Sequence, residues 1–147
     1  MQTRIEVLID APPARVFAHV ADIPRWPERI SAITRLEMLT DGPVRVGTRF
    51  RETRLMFGRE AVEEMTVAEL TPPERLVLTA SNHGTDYRMT HLITPEGAGS
   101  RLLLVLEGKV RTLAARLLLP LGWLMVGHVR RAIAADFADL KRSIESG

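Results

Sequence analysis

Near the C-terminus, Val126, Val129, Ile133, Phe137, Leu140 and Ile144 recur at steps of three or four. That spacing stacks side chains on one stripe of an α-helix, so the stretch 111–146 is expected to form one long helix. His128, Arg131, Asp139 and Arg142 fall away from the stripe and read as solvated. Ahead of it, residues 117–126 read LLLPLGWLMV, apolar nearly all round. A helix of that composition is normally covered on every side. Its first half is therefore expected to lie against a curved surface, and the rest of the chain must supply that surface.

The preceding residues read as strands. Residues 2–10 alternate, with Ile5, Val7 and Ile9 on one face. Pro12 and Pro13 then open a short helix running to about Ala21, since a first turn has no use for the N–H groups that proline lacks. A second short helix, 24–30, carries Trp26. Neither is long enough to stand alone, so both must pack on a sheet. Strands follow at 32–39, 48–56, 59–70, 75–82, 85–94 and 100–109. They are separated by the loop 41–47, Phe57-Gly58, Pro72-Pro73, His83-Gly84 and the loop 95–99. Sequential strands with short connections predict an antiparallel meander. The fold class is α+β, a seven-stranded sheet curved around one long helix.

With 147 residues, 46% of them hydrophobic, the chain has enough apolar material for one domain core. It has no cysteine, which excludes disulfides and thiolate metal sites. A start of MQTRIEVLID does not look like a signal peptide. A reducing, cytoplasmic location fits both observations. The apolar run around Trp123 is shorter than the roughly 20 residues a membrane span needs. A formal charge of +2 is too mild to indicate nucleic acid.

Four stretches carry a family resemblance: IDAPPARVFAHVADIPRWPERI (residues 9–30), GPVRVGTRFR (42–51), AELTPPERLVL (68–78) and DFADLKRSIE (136–145). Together with the element order they resemble the START-like helix-grip superfamily, in particular its bacterial SRPBCC members, the polyketide cyclase/dehydrase and lipid-transport group. The resemblance covers nearly the whole chain as a single domain, 1–147. It implies a cavity between sheet and long helix that holds an apolar or amphipathic small molecule. Cyclases of this group use differing pocket residues, and no such set is found here.

Chemistry-bearing patterns are few. His19, His83, His91 and His128 lack metal-ligand spacing, so no metal or other cofactor is expected. No GxSxG elbow is present, and Gly42 and Gly47 flank a loop without the Lys-Ser/Thr of a phosphate loop.

Strand alternation gives the expected pocket face. Tyr87, Met89, His91 and Ile93 share one side of their strand. Leu102, Leu104 and Leu106 do so on the next, and Leu76, Leu78, Ala80 and Asn82 on another. If Phe50 points inward, Glu52, Arg54 and Met56 point with it. The strand 59–70 has two candidate faces, Ala61, Met65 and Val67 against Val62, Thr66 and Leu70.

The candidate ligand-binding set is Phe50, Arg54, Leu78, Tyr87, Met89, His91, Leu104, Leu106 and Trp123, with Trp123 and Met125 at the mouth. Two readings of its polar members stand side by side. In one, Glu52 and Arg54 are an ion pair at the cavity rim, and Tyr87 and His91 are satisfied core groups. In the other, Arg54 or His91 anchors a ligand's carboxylate, phenol or carbonyl. Arg45, Arg49, Arg51, Arg54 and Arg59 read as a solvated face offset by Glu60, Glu63 and Glu64.

Three functions are compatible with this sequence. The first is storage, transport or sensing of an apolar or amphipathic molecule. The second is a cyclase, aromatase or dehydratase, with His91 or Tyr87 as acid/base and Arg54 as carbonyl partner. The third is an interaction module that docks through residues 117–126. Oligomeric state is left open.

Overall fold

In the computed structural model, which describes residues 2–147, seven strands form one antiparallel sheet. They are β1 (Gln2–Ile9), β2 (Ile33–Met38), β3 (Arg49–Met56), β4 (Arg59–Thr71), β5 (Arg75–Asn82), β6 (Thr85–Glu96) and β7 (Gly99–Val110). Their order, β1-β7-β6-β5-β4-β3-β2, is a meander from β2 to β7 whose last strand takes β1 as its neighbour. The turns fix the register. Phe57-Gly58 and His83-Gly84 are two-residue hairpin turns with positive φ throughout, 56°, 73°, 50° and 78°. Such turns twist in the sense that the strands do.

Two details differ from the sequence expectation. The loop predicted at 95–99 shrinks to Gly97-Ala98, because β6 runs on through Pro95 opposite Ser100. Proline is tolerated there because β5 pairs with β6 only as far as Leu92, so nothing asks Pro95 for an N–H. In β4 a register shift between Val67 and Glu69 reverses the alternation. A bulge inserts one residue and flips the faces beyond it. Ala61, Met65 and Val67 therefore point inward with Leu70, while Val62 is exposed.

The helices lie between the two edge strands. α1 (Pro13–Val20), a 3₁₀ turn (Ile23–Arg25) and α2 (Trp26–Arg29) connect β1 to β2. Trp26 anchors them: its indole N–H donates to the Val20 carbonyl at 3.1 Å, and its ring meets Phe50 edge-on at 5.6 Å.

The predicted long helix is split into α3 (Leu113–Leu117) and α4 (Leu119–Ser146). Proline has no N–H, and its ring collides with the carbonyl four residues back. Pro120 can only sit in a first turn, so the chain breaks at Leu118 and restarts. Thr112 caps α3 by accepting from the Ala115 N–H. The C-terminal half of α4 follows the expected stripe, with Phe137, Leu140 and Ile144 buried. It is also pinned by polar bonds, Lys141 Nζ to the Leu8 carbonyl and Arg15 to the Ile144 carbonyl, each at 2.7 Å.

Two expectations for this region are corrected. Asp139 is not on a solvated face. Its carboxylate accepts from both the N–H and the hydroxyl of Ser31, each at 2.9 Å, and its side chain is only 13% exposed. More consequentially, the apolar first half of the helix is not covered on all sides. Leu117 is 74% exposed, Trp123 64% and Leu124 77%. Among the described residues nothing packs over this outer side of α4.

Candidate ligand site

Because strands alternate faces, each set of paired inward residues forms a rung across the sheet. One rung runs Met38, Phe50, Met65, Ala80, Tyr87 and Gly108. A rung closer to the core runs Val67, Leu78, Met89 and Leu106, and the next runs Leu70, Leu76, His91, Leu104 and Ile5. At the other end, near the hairpin tips, Glu52 pairs across from Glu63, whose carboxylate takes a hydrogen bond from Asn82 at 3.0 Å.

A cavity of about 270 Å³ opens at this end, between the sheet and the start of the long helix. Its sheet wall is Asn82, His83, Thr85, Tyr87, Gly108 and Val110. Its helix wall is Ala115, Leu118, Leu119, Leu121, Gly122 and Met125. One wall thus carries hydroxyl, amide and imidazole groups, and the other is apolar. A wider trough of about 940 Å³ is lined mostly by outward-facing Thr66, Thr79, Ser81, Asp86, Arg88, Glu107 and Lys109. Those side chains are polar and open to solvent, so the smaller, more apolar cavity is the better ligand site.

The residues expected to bind ligand separate into layers. Tyr87 lines the cavity. Met89 and Leu106 are half-buried on the next rung. Phe50, Leu78, Leu104 and His91 are packed into the core. Trp123 is turned outward, whereas Met125, two residues on, lines the cavity.

Arg54 is held between two carboxylates. Its Nε donates to Glu52 at 2.7 Å, and a terminal nitrogen donates to Asp136 at 2.8 Å. Both acids are buried, and burial pushes both of their pKa values up against the lowering effect of Arg54. One guanidinium faces two acids, so the cluster has no positive charge to spare for an anionic ligand. Asp136 Oδ1 is buried and has no hydrogen-bond partner among the described residues. Asp136 was not singled out from the sequence, though a signal was present. It lies three residues after Ile133 and four before Leu140, so it belongs to the apolar stripe. A carboxylate there needs a buried cation.

His91 is also accounted for inside the core. One ring nitrogen lies 3.3 Å from the Leu76 carbonyl, and the ring centre is 6.5 Å from that of Phe137. Burial lowers its pKa from 6.5 to about 4, against the pull of the Leu76 and Met89 carbonyls. It is therefore neutral at physiological pH.

The arginines of β3 find partners on the outer face: Arg49 meets Glu64, and Arg51 lies 3.8 Å from both Glu37 and Glu64. Glu63, expected to share in this, points inward instead. Among the described residues no three His, Asp or Glu side chains gather as a metal site.

A sheet bent around one helix, with a partly apolar cavity at its open end, defines a helix-grip domain of the ligand-binding SRPBCC type. The chain belongs to the polyketide cyclase / dehydrase and lipid transport family, whose model matches residues 2–145. No curated protein matches it in sequence.

Solved structures share the fold at low identity. TTHA0849 from Thermus thermophilus is 21% identical, with a TM-score of 0.76 over 99% of this chain and 98% of that one. Ara h 8.0201 is 17% identical, with a TM-score of 0.79 over 100% and 99%. The di-domain ARO/CYC StfQ of the steffimycin biosynthetic pathway is 14% identical, with a TM-score of 0.80 over 99% of this chain and half of that one.

Proposed function

We propose that the whole chain acts as one binding domain that stores, carries or senses a small amphipathic molecule in the cavity between β5–β7 and the α3–α4 junction. The observation that carries this reading is the split lining. Leu118, Leu119, Leu121 and Met125 offer apolar contact, while Tyr87, Thr85, Asn82 and His83 stand opposite. Pockets of this make-up use a few polar groups to orient an otherwise apolar ligand. The ligand's polar group is neutral, a hydroxyl or carbonyl, because no Lys or Arg lines the cavity and Arg54 already has two carboxylates. At about 270 Å³ the space suits a molecule of one or two rings. The acid/base role considered for His91 is not supported, since the residue is buried and neutral two rungs from the cavity.

Gly122 supplies the test. A Cβ built there meets nothing within 4 Å, so a Phe side chain has room beside the cavity that Gly122 lines. An environment-sensitive apolar dye should saturate one site on the wild type and be displaced by neutral phenols or ketones in preference to acids. Gly122→Phe should abolish that binding. Equal dye binding by both proteins would place the dye elsewhere and sink the proposal.

A further inference from the structure

The apolar residues at the start of the helix pair are far more exposed than packing alone explains. Leu113, Leu117, Leu121, Trp123 and Leu124 are all more than half exposed. Phe57, on the β3–β4 turn, adds a further exposed apolar side chain, its ring 5.2 Å from that of His128 on α4. Contiguous apolar surface of this kind marks an interaction site.

The charges around it identify the partner. Between Glu107 and Asp136 the sequence has no acidic residue, while Lys109, Arg111, Arg116, Arg130 and Arg131 all fall there. Arg111 is matched by Asp86 at 2.8 Å. Among the described residues the other four meet no carboxylate. Arg130 reaches the backbone carbonyl of Arg4, which leaves its charge in place. Leucine and tryptophan bordered by unmatched arginines are the make-up of a helix that lies in a membrane interface. No described helix is long and apolar enough to cross one.

We propose that the α3–α4 junction and the Phe57 turn dock this protein on an anionic lipid bilayer. The surface sinks Leu117, Trp123 and Leu124 below the headgroups, and the arginines meet the lipid charge. A second copy of the chain is a poorer occupant, because a two-fold contact through this patch would set like-charged arginines against each other. Leu118 and Leu121 belong both to the exposed surface and to the cavity lining, so docking places the cavity mouth at the bilayer. The docking stands whether or not the cavity binds a ligand.

Co-sedimentation with vesicles of equal parts phosphatidylglycerol and phosphatidylcholine tests it, with phosphatidylcholine vesicles as comparison. The protein should pellet with the anionic vesicles, less so in high salt, and its tryptophan emission should shift to the blue as Trp123 leaves water. Arg116→Gln and Arg131→Gln should each weaken partitioning about fivefold. Leu124→Asp should weaken it about tenfold or more, yet leave dye binding in the cavity intact. Gly122→Phe should do the reverse, which separates this proposal from the ligand reading. Three results overturn it: no pelleting, equal pelleting with both vesicle types without a salt effect, or a dimer that Leu124→Asp dissociates while vesicles leave the protein in solution.

Discussion

His91 ties the fold's stability to pH in a direction the carboxylates oppose. In the unfolded chain its imidazole takes a proton near pH 6.5; in the folded protein it does so only near pH 4. Between those values the unfolded state binds more protons, so acid favours unfolding. The stability this group contributes is complete above pH 6.5 and is lost as the pH falls toward 4. Integrated over that window, the loss is about 3 kcal/mol, with a steepest slope of about 1.4 kcal/mol per pH unit. Glu52 and Asp136 act in the opposite sense. Burial raises their pKa values, so in the range just above ordinary carboxylate values the folded state holds their protons more tightly and gains as pH falls. The raw pH profile mixes both effects, and the comparison must isolate one residue. His91→Gln removes the titration and keeps a side chain able to hydrogen-bond the Leu76 carbonyl. Urea unfolding of both proteins between about pH 7 and pH 4 should show the wild type losing about 3 kcal/mol relative to the variant. A difference that stays flat within a few tenths of a kcal/mol would refute the reasoning, because it would mean that the native imidazole is solvated.

Other substitutions probe the same packing. Arg54→Met leaves Glu52 and Asp136 buried without their cation and should cost about 3–5 kcal/mol at neutral pH. That loss should shrink in acid as the two carboxyls protonate, which denaturation at two pH values checks. Phe137→Ala empties a site that is 4% exposed, in the middle of the helix stripe, and should cost about 3–5 kcal/mol by chemical denaturation. Asp139→Ala removes two hydrogen bonds from Ser31, whose exposed donors water can then satisfy, and should cost about 1 kcal/mol. Arg142→Ala, whose side chain is 74% exposed, should change stability by less than about 0.5 kcal/mol. Equal losses in that last pair would mean that Ser31 does not depend on Asp139.

What the sequence made legible was periodicity. Alternation located the strands, and it placed Tyr87, Met89 and His91 on one face, as the rungs show. The bulge near Ala68 escaped it because an inserted residue changes parity without changing composition. Asp139 escaped it for another reason: helical spacing says which way a side chain points, but not what arrives from a distant loop to meet it. Ser31 lies 108 residues away in sequence. The site divided in the same way. Tyr87 and Met125 reach the cavity because their local spacing puts them there, whereas Asp136 enters the Arg54 cluster through a pairing between strand and helix that no local pattern records.

The run at 117–126 carries the most general lesson. An apolar surface demands cover, but the cover need not come from the same chain. In a folded protein a strip of leucine and tryptophan left in water costs free energy, and marginal stability leaves little room for such a cost without a return. Here the strip lies at the mouth of the cavity and is bordered by arginines that meet no carboxylate among the described residues. The same residues that fail to complete the core are therefore those best placed to meet a surface outside it.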